Sequence, residues 1–178
     1  IAWYSKLNPF KVLYKIGSHL RNPNLYKKVD FLCETQNWGQ DRLKEYQLDQ
    51  LNKLINFANK YSVFYKSYFI KHGFNTNLNS LDDLNQLPPI NKEYLLNKNS
   101  DIHTTYKFKK TFFCETSGST GQVLTFKKNE EWDSSNRAAM IRDYGWYNVN
   151  PWEHNIYFWG YDIDLVKQKK IRVLDFMQ

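Results

Sequence analysis

The sequence predicts an α/β chain: a helical N-terminal region to about residue 100, then the first strands of a mixed sheet with a helix packed against it. Three observations carry this. Residues 41–60, DRLKEYQLDQLNKLINFANK, set Leu48, Leu51, Leu54, Ile55 and Ala58 at three- and four-residue spacings, one core-facing stripe of an amphipathic helix. From Thr104 the texture changes to β-branched and aromatic runs, TFFCE and QVLTFKK, on either side of a Thr/Ser/Gly cluster; these read as two strands joined by a flexible loop. Beyond them, residues 129–147 carry Trp132, Ala139, Met140, Tyr144 and Tyr147 at near-helical intervals, behind a start made by Asn129, Glu130 and Glu131.

The smaller elements follow from local chemistry. After the long helix, NKYSVFYKSYF either continues as a bent helix or breaks into a turn near Ser62. Ser80 precedes Leu81-Asp82-Asp83, a hydroxyl cap with acids in the first turn, and Leu87-Pro88-Pro89 ends that short helix. Asn91 opens another, NKEYLLNK. Residues 155–159 (NIYFW) read as a buried strand and 171–176 (IRVLDF) as a further one. The change of texture between about residues 97 and 111 divides the chain into 1–100 and 101–178, two subregions of one incomplete domain.

With 42% hydrophobic and 24% charged residues among 178, the chain falls in the globular range. Thirteen Tyr, 12 Phe and 6 Trp supply large areas to bury, while seven glycines make each one positional. No run of about 18 apolar residues exists, so no membrane span is expected. The N-terminus lacks a signal-peptide pattern, and a cytoplasmic protein is anticipated. The net charge of +7 could serve nucleic acid, an anionic membrane surface or phosphorylated small molecules. Its lysines come in small groups along the chain without a dense block, which argues against nucleic acid and an anionic membrane surface and for a solvated surface. Cys33 and Cys114 lack metal-like spacing and read as inert thiols; His19, His72, His103 and His154 show no helical pairing that would hold a metal.

The most informative run is Thr116-Ser117-Gly118-Ser119-Thr120-Gly121. Two glycines free the backbone, and four hydroxyls with several N–H groups can converge on one anion, which suits a polyphosphate. It is not a Walker A loop, because Gly121 leads into strand-like Gln122-Val123-Leu124 and no Lys follows; a GxGxxG fingerprint is also absent. A Ser/Gly-rich hairpin connection without ligand has the same composition.

TSGSTG flanked by apolar strands resembles the signature phosphate loop of the adenylate-forming superfamily, which includes acyl-CoA synthetases and peptide-synthetase adenylation domains. Gln122-Val123-Leu124 departs from the Pro-Lys-Gly that many members carry there, and the phenylacetate-CoA ligase and CapK branch, which the chain resembles, often lacks that lysine. TQNWG with the helix EYQLDQLNKLINFANKYSVFYKSYF, and NSLDDLNQLPPINKEYLL after it, resemble the opening segments of that branch in the same order. The likeness covers residues 36–121 and extends through Arg137, Arg142 and Trp146 to about residue 160.

The resemblance implies the N-terminal part of the large domain of an ATP-dependent carboxylate ligase. Such an enzyme joins a carboxylate to the α-phosphorus of Mg·ATP and then passes the acyl group to an acceptor such as coenzyme A. It further implies that Ser117, Ser119 and Thr120 donate to phosphate, that Gly118 and Gly121 act as hinges, and that Thr116 anchors the loop to its strand. The family's Mg²⁺-holding Glu, ribose-holding Asp and adenylation Lys would lie beyond Gln178. The chain is therefore expected to be a fragment, in keeping with its start at Ile1, and inactive by itself. Strand edges at 155–159 and 171–176, uncovered by such a truncation, would favour self-association. Arg137 and Arg142 could face phosphate or coenzyme A, or simply line an exposed helix; Tyr144, Trp146, Tyr147 and Trp152 read as core more than as a ligand platform. A different class remains open, a non-catalytic remnant that serves as a binding or scaffold module. An in-frame continuation into a Tyr-Gly-x-Thr-Glu segment separates the two.

Overall fold

Asn8 opens the first helix in the computed structural model, which describes residues 8–97, 99–116 and 123–154. Its Oδ1 accepts from the Phe10 and Lys11 amides at 3.0 and 3.3 Å, and Pro9 stands at N1, so α1 (Pro9–Arg21) begins with its free donors satisfied. The remaining helices are α2 (Leu25–Thr35), α3 (Gln40–Tyr61), α4 (Val63–Lys71), α5 (Lys92–Asn97), α6 (Asn99–Ile102) and α7 (Glu130–Gly145), with a 3₁₀ helix over Leu81–Gln86. Strands β1 (Thr111–Glu115) and β2 (Thr125–Asn129) form one antiparallel pair. The described residues fall into two compact units, one formed by those up to Glu34 and from Glu131, the other by Thr35–Glu130. The change of texture at residues 97–111 lies inside the second.

In the first unit, the polar cap of α1 is also its main tertiary tie. The Asn22 amide closes α1 on the Ser18 carbonyl at 2.8 Å, and its own carbonyl accepts from Leu25 at 2.9 Å, turning the chain into α2. The Asn22 side chain, 3% exposed, donates to Asp133 Oδ2 at 3.1 Å and Ser134 Oγ at 2.9 Å on α7, while its Oδ1 is buried without a partner. Arg21 and Arg137 both reach Asp133, at 3.4 and 3.2 Å, and Lys28 pairs with Glu131. The stripe expected to bury α7 is corrected here. Ser134 and Ala138 are its buried residues, one turn apart, whereas Trp132 and Met140 are exposed. A face of small and polar side chains lets helices approach closely enough for Asn22 to reach Ser134, and the large residues turn outward.

The second unit has the apolar core. Ile55, Phe69, Phe74 and Leu78 are buried together, with Leu48, Leu51, Ala58, Tyr65, Tyr68 and Leu87 against them. Four of the five residues of the predicted α3 stripe are thus in place. Leu54 is not: it is exposed, because at 100° per residue it falls at the edge of the arc centred on Leu51 and Ile55. The chain does break at Ser62. Its amide ends α3 on the Ala58 carbonyl at 2.9 Å, and its Oγ accepts from Tyr65 at 3.3 Å to begin α4. Gly73, at φ +59°, lets the Phe74 amide return to the Phe69 carbonyl at 2.9 Å, which closes α4 and aims Phe74 into the core.

Asn52 clamps the returning segment, accepting from the Leu78 amide at 2.7 Å and donating to the Leu78 carbonyl at 3.0 Å. At the predicted cap, Ser80 Oγ accepts from the Asp82 amide and the Asp83 carboxylate accepts from the Ser80 amide at 3.0 Å, a capping box that gives the Asp83 acid a structural task. Asn91 Oδ1 accepts from Tyr94 at 2.8 Å at the start of α5. The strands expected at 155–159 and 171–176, and the self-association tied to them, lie outside the described residues.

Candidate functional site

The hairpin is fastened to the second unit just before its first strand. The Tyr61 carbonyl, at the end of α3, accepts from both the amide and the hydroxyl of Thr105, at 2.7 and 3.0 Å. Phe57 and Tyr61 then pack edge-on and tilted against Tyr106 and Phe108, with ring centroids 4.8–6.0 Å apart. β1 alternates, with Phe112 and Cys114 half-buried and Thr111, Phe113 and Glu115 exposed, as one face of a hairpin against a core requires. Its partners in β2 run from Thr111 opposite Asn129 to Glu115 opposite Thr125.

That register extends one step further, to Thr116 and Leu124. The Thr116 amide donates to the Leu124 carbonyl at 3.0 Å. In return, the Leu124 amide donates to the Thr116 hydroxyl, also at 3.0 Å. The side chain thereby takes the bond that a strand carbonyl would accept, so Thr116 closes the neck of the connection with its own oxygen. Of the six candidate phosphate-loop residues, Thr116 is the one described; Ser117, Gly118, Ser119, Thr120 and Gly121, with the flexibility expected of their loop, lie outside the described residues.

The charge of the stretch around the neck is predominantly positive. Residues 104–129 include Lys107, Lys109, Lys110, Lys127 and Lys128, with Glu115 as their sole acid. Lys107, Lys109, Lys110 and Lys127 are exposed, and Lys128 sets its ammonium 5.2 Å from the Phe126 ring. Such a hairpin raises the local concentration of anions.

Other candidate residues are occupied elsewhere. Arg137 bonds to Asp133, and Arg142 bonds to Asp143 at 2.9 Å with its guanidinium 4.9 Å from the Trp146 ring centroid. The aromatic run is corrected in part: Trp152 is half-buried against Tyr14, but Trp146 and Tyr147 are exposed. Past Gly145 the chain turns through Asn148 at φ 57°, with the Val149 amide returning to the Tyr144 carbonyl at 3.0 Å, and this carries both rings outward. Cys33 and Cys114 are unbridged. Among the described residues, no group of three or more His, Cys, Asp or Glu is placed to hold a metal, and no helix is long and apolar enough to cross a membrane.

The chain is similar to CapK. Over 130 residues it is 31% identical to the protein CapK of Staphylococcus aureus, a stretch that covers 72% of this chain and 28% of that protein. No family model matches the chain, and no solved structure matches it. The likeness points to a CapK-related protein, of which this chain spans little more than a quarter of the relative's length. The fastening by Thr105 and the ring cluster of Phe57, Tyr61, Tyr106 and Phe108 escaped sequence reasoning. The sequence signal for it was the alternation of Tyr106 and Phe108 between Thr105 and the strand.

Proposed function

We propose that this chain is the N-terminal part of an ATP-dependent carboxylate ligase of the adenylate-forming kind, acting in capsular or surface polysaccharide biosynthesis, and that residues 116–121 cradle the β- and γ-phosphates of ATP. What carries this is the TSGSTG run between two paired strands, in a segment with five lysines and one carboxylate. Hydroxyls, backbone amides and net positive charge are the donor set a polyphosphate needs, and few acids in the segment compete with it. The similarity to CapK supports the placement in capsule-related chemistry.

In this proposal Ser117, Ser119 and Thr120 donate to phosphate oxygens, Gly118 and Gly121 let the backbone follow them, and Thr116 holds the neck. A small-molecule carboxylate is the other substrate. Mg²⁺ when bound neutralises phosphate charge, and coenzyme A supplies the accepting thiol; residues for both belong to the rest of the enzyme. A hydroxyl bonded to a charged phosphate contributes about 1.5–3 kcal/mol, so Thr120→Val in the longer, in-frame enzyme should lower kcat/KM for ATP by roughly 10- to 150-fold. An unchanged kcat/KM would refute the role.

A further inference from the structure

Charge is unevenly placed along the hairpin. Lys107, Lys109 and Lys110 precede β1, and Lys128 and Lys127 stand opposite Phe112 and Phe113, toward the base. The pairs nearest the loop are Cys114 with Phe126 and Glu115 with Thr125, so the fixed charge closest to the neck is the Glu115 carboxylate. At about 3.3 Å per residue, the Lys127 backbone lies roughly 7 Å farther from the neck than that of Thr125, and Lys110 roughly 17 Å behind Glu115.

Glu115 is exposed, and the next residue, Thr116, makes the neck with Leu124. The ordinary role of such a surface acid is to pair with a lysine diagonally across the strands, and here Lys127 holds that position on the same face. Among the described residues, neither the Glu115 carboxylate nor the Lys127 ammonium enters an ion pair or a hydrogen bond. The acid is therefore no strut of the hairpin, and its charge is not cancelled by the lysines around it. A carboxylate left bare beside a polyphosphate repels it, and the repulsion grows with the charge on the ligand.

We propose that Glu115 is a specificity-determining residue, which makes this end of the hairpin discriminate against metal-free polyphosphate in favour of the cation-complexed form. The inference rests on the polyphosphate reading of residues 116–121. A bound Mg²⁺ removes about half the charge of ionised ATP, so the repulsion from Glu115 falls in the same proportion. Hydroxyl and amide donors act on either form, and the lysines toward the base draw both forms to the hairpin at longer range. Glu115 acts through its charge at a distance, with no bond to the metal.

The test is titration of the ¹⁵N-labelled chain and its Glu115→Gln variant at low salt with ATP, either in a chelator or with a small excess of Mg²⁺, followed at the amides of residues 116–124. Glu115→Gln should tighten metal-free ATP by about three- to tenfold and Mg·ATP by only about the square root of that factor, and both gains should fade in about 0.5 M salt. Because Glu115 is exposed and unpaired among the described residues, Tm should not change. Glu93→Gln, which removes the same charge from an exposed site on α5, should alter neither affinity. Equal gains for the two forms, no gain, or a matching effect of Glu93→Gln would overturn the role of Glu115 while leaving the polyphosphate site standing. Loss of Mg·ATP binding in Glu115→Gln would overturn it in favour of a direct metal contact. Absence of shifts at residues 116–124 with either form in the parent chain would overturn the polyphosphate reading and this inference with it.

Discussion

Asp133 draws together Arg21, Asn22 and Arg137. Burial works against its charge, but the Asn22 hydrogen bond and the two guanidinium groups outweigh it and hold the carboxyl below the usual carboxylate range. A depressed native pKa contributes stability that is present above the unfolded value, about 4, and is lost as pH falls through the lowered native value. Asp133→Asn should therefore cost about 1 kcal/mol near neutral pH, and its difference from the parent should shrink on acidification, as followed by denaturant unfolding at several pH values. A difference independent of pH would remove the charge from the explanation. Thr116 makes a comparable point at the hairpin. In Thr116→Val the Leu124 amide loses its acceptor, worth about 1 kcal/mol, and hydrogen exchange at Leu124 should accelerate about fivefold.

Elements were legible wherever a side chain acts on its own backbone or along one face. The α3 stripe, the Ser80 cap with Asp83, and the strands TFFCE and the latter part of QVLTFKK depend on contacts within a few residues, and the structure places them close to where the sequence does. At Ser62, propensity left the choice between bend and break open, and tertiary contacts decide it: the hydroxyl that caps α4 also donates to the Ile102 carbonyl at 3.1 Å. Ser62→Ala should lower stability by about 1–2 kcal/mol, read as a reduced denaturation midpoint with unchanged m-value. The rest was illegible for a physical reason. Asn22 to Ser134 and Tyr61 to Thr105 are polar contacts across long stretches of sequence, and no periodicity announces them. Hydrophobic spacing likewise selected Trp132 and Met140 on α7, although the neighbour there accepts only Ser134 and Ala138.

For the molecule as a whole, the two units do different work. The first carries the exposed apolar side chains of α1; the second holds the apolar core and presents the basic hairpin with the TSGSTG run. The candidate site was legible as composition, and the structure adds the neck that Thr116 makes with Leu124. In the proposed ligase, phosphate binding is a property of this stretch, whereas activation of the carboxylate needs groups from the longer enzyme. The phosphate cradle can accordingly be tested on the chain alone. Inorganic pyrophosphate titrated into ¹⁵N-labelled chain should shift amide resonances concentrated in residues 116–124, saturating in the range of about 1–10 mM, with Thr120→Val weakening the response. Shifts scattered over surface lysines, or none at residues 116–124 at those concentrations, would contradict the assignment of this hairpin as a polyphosphate site.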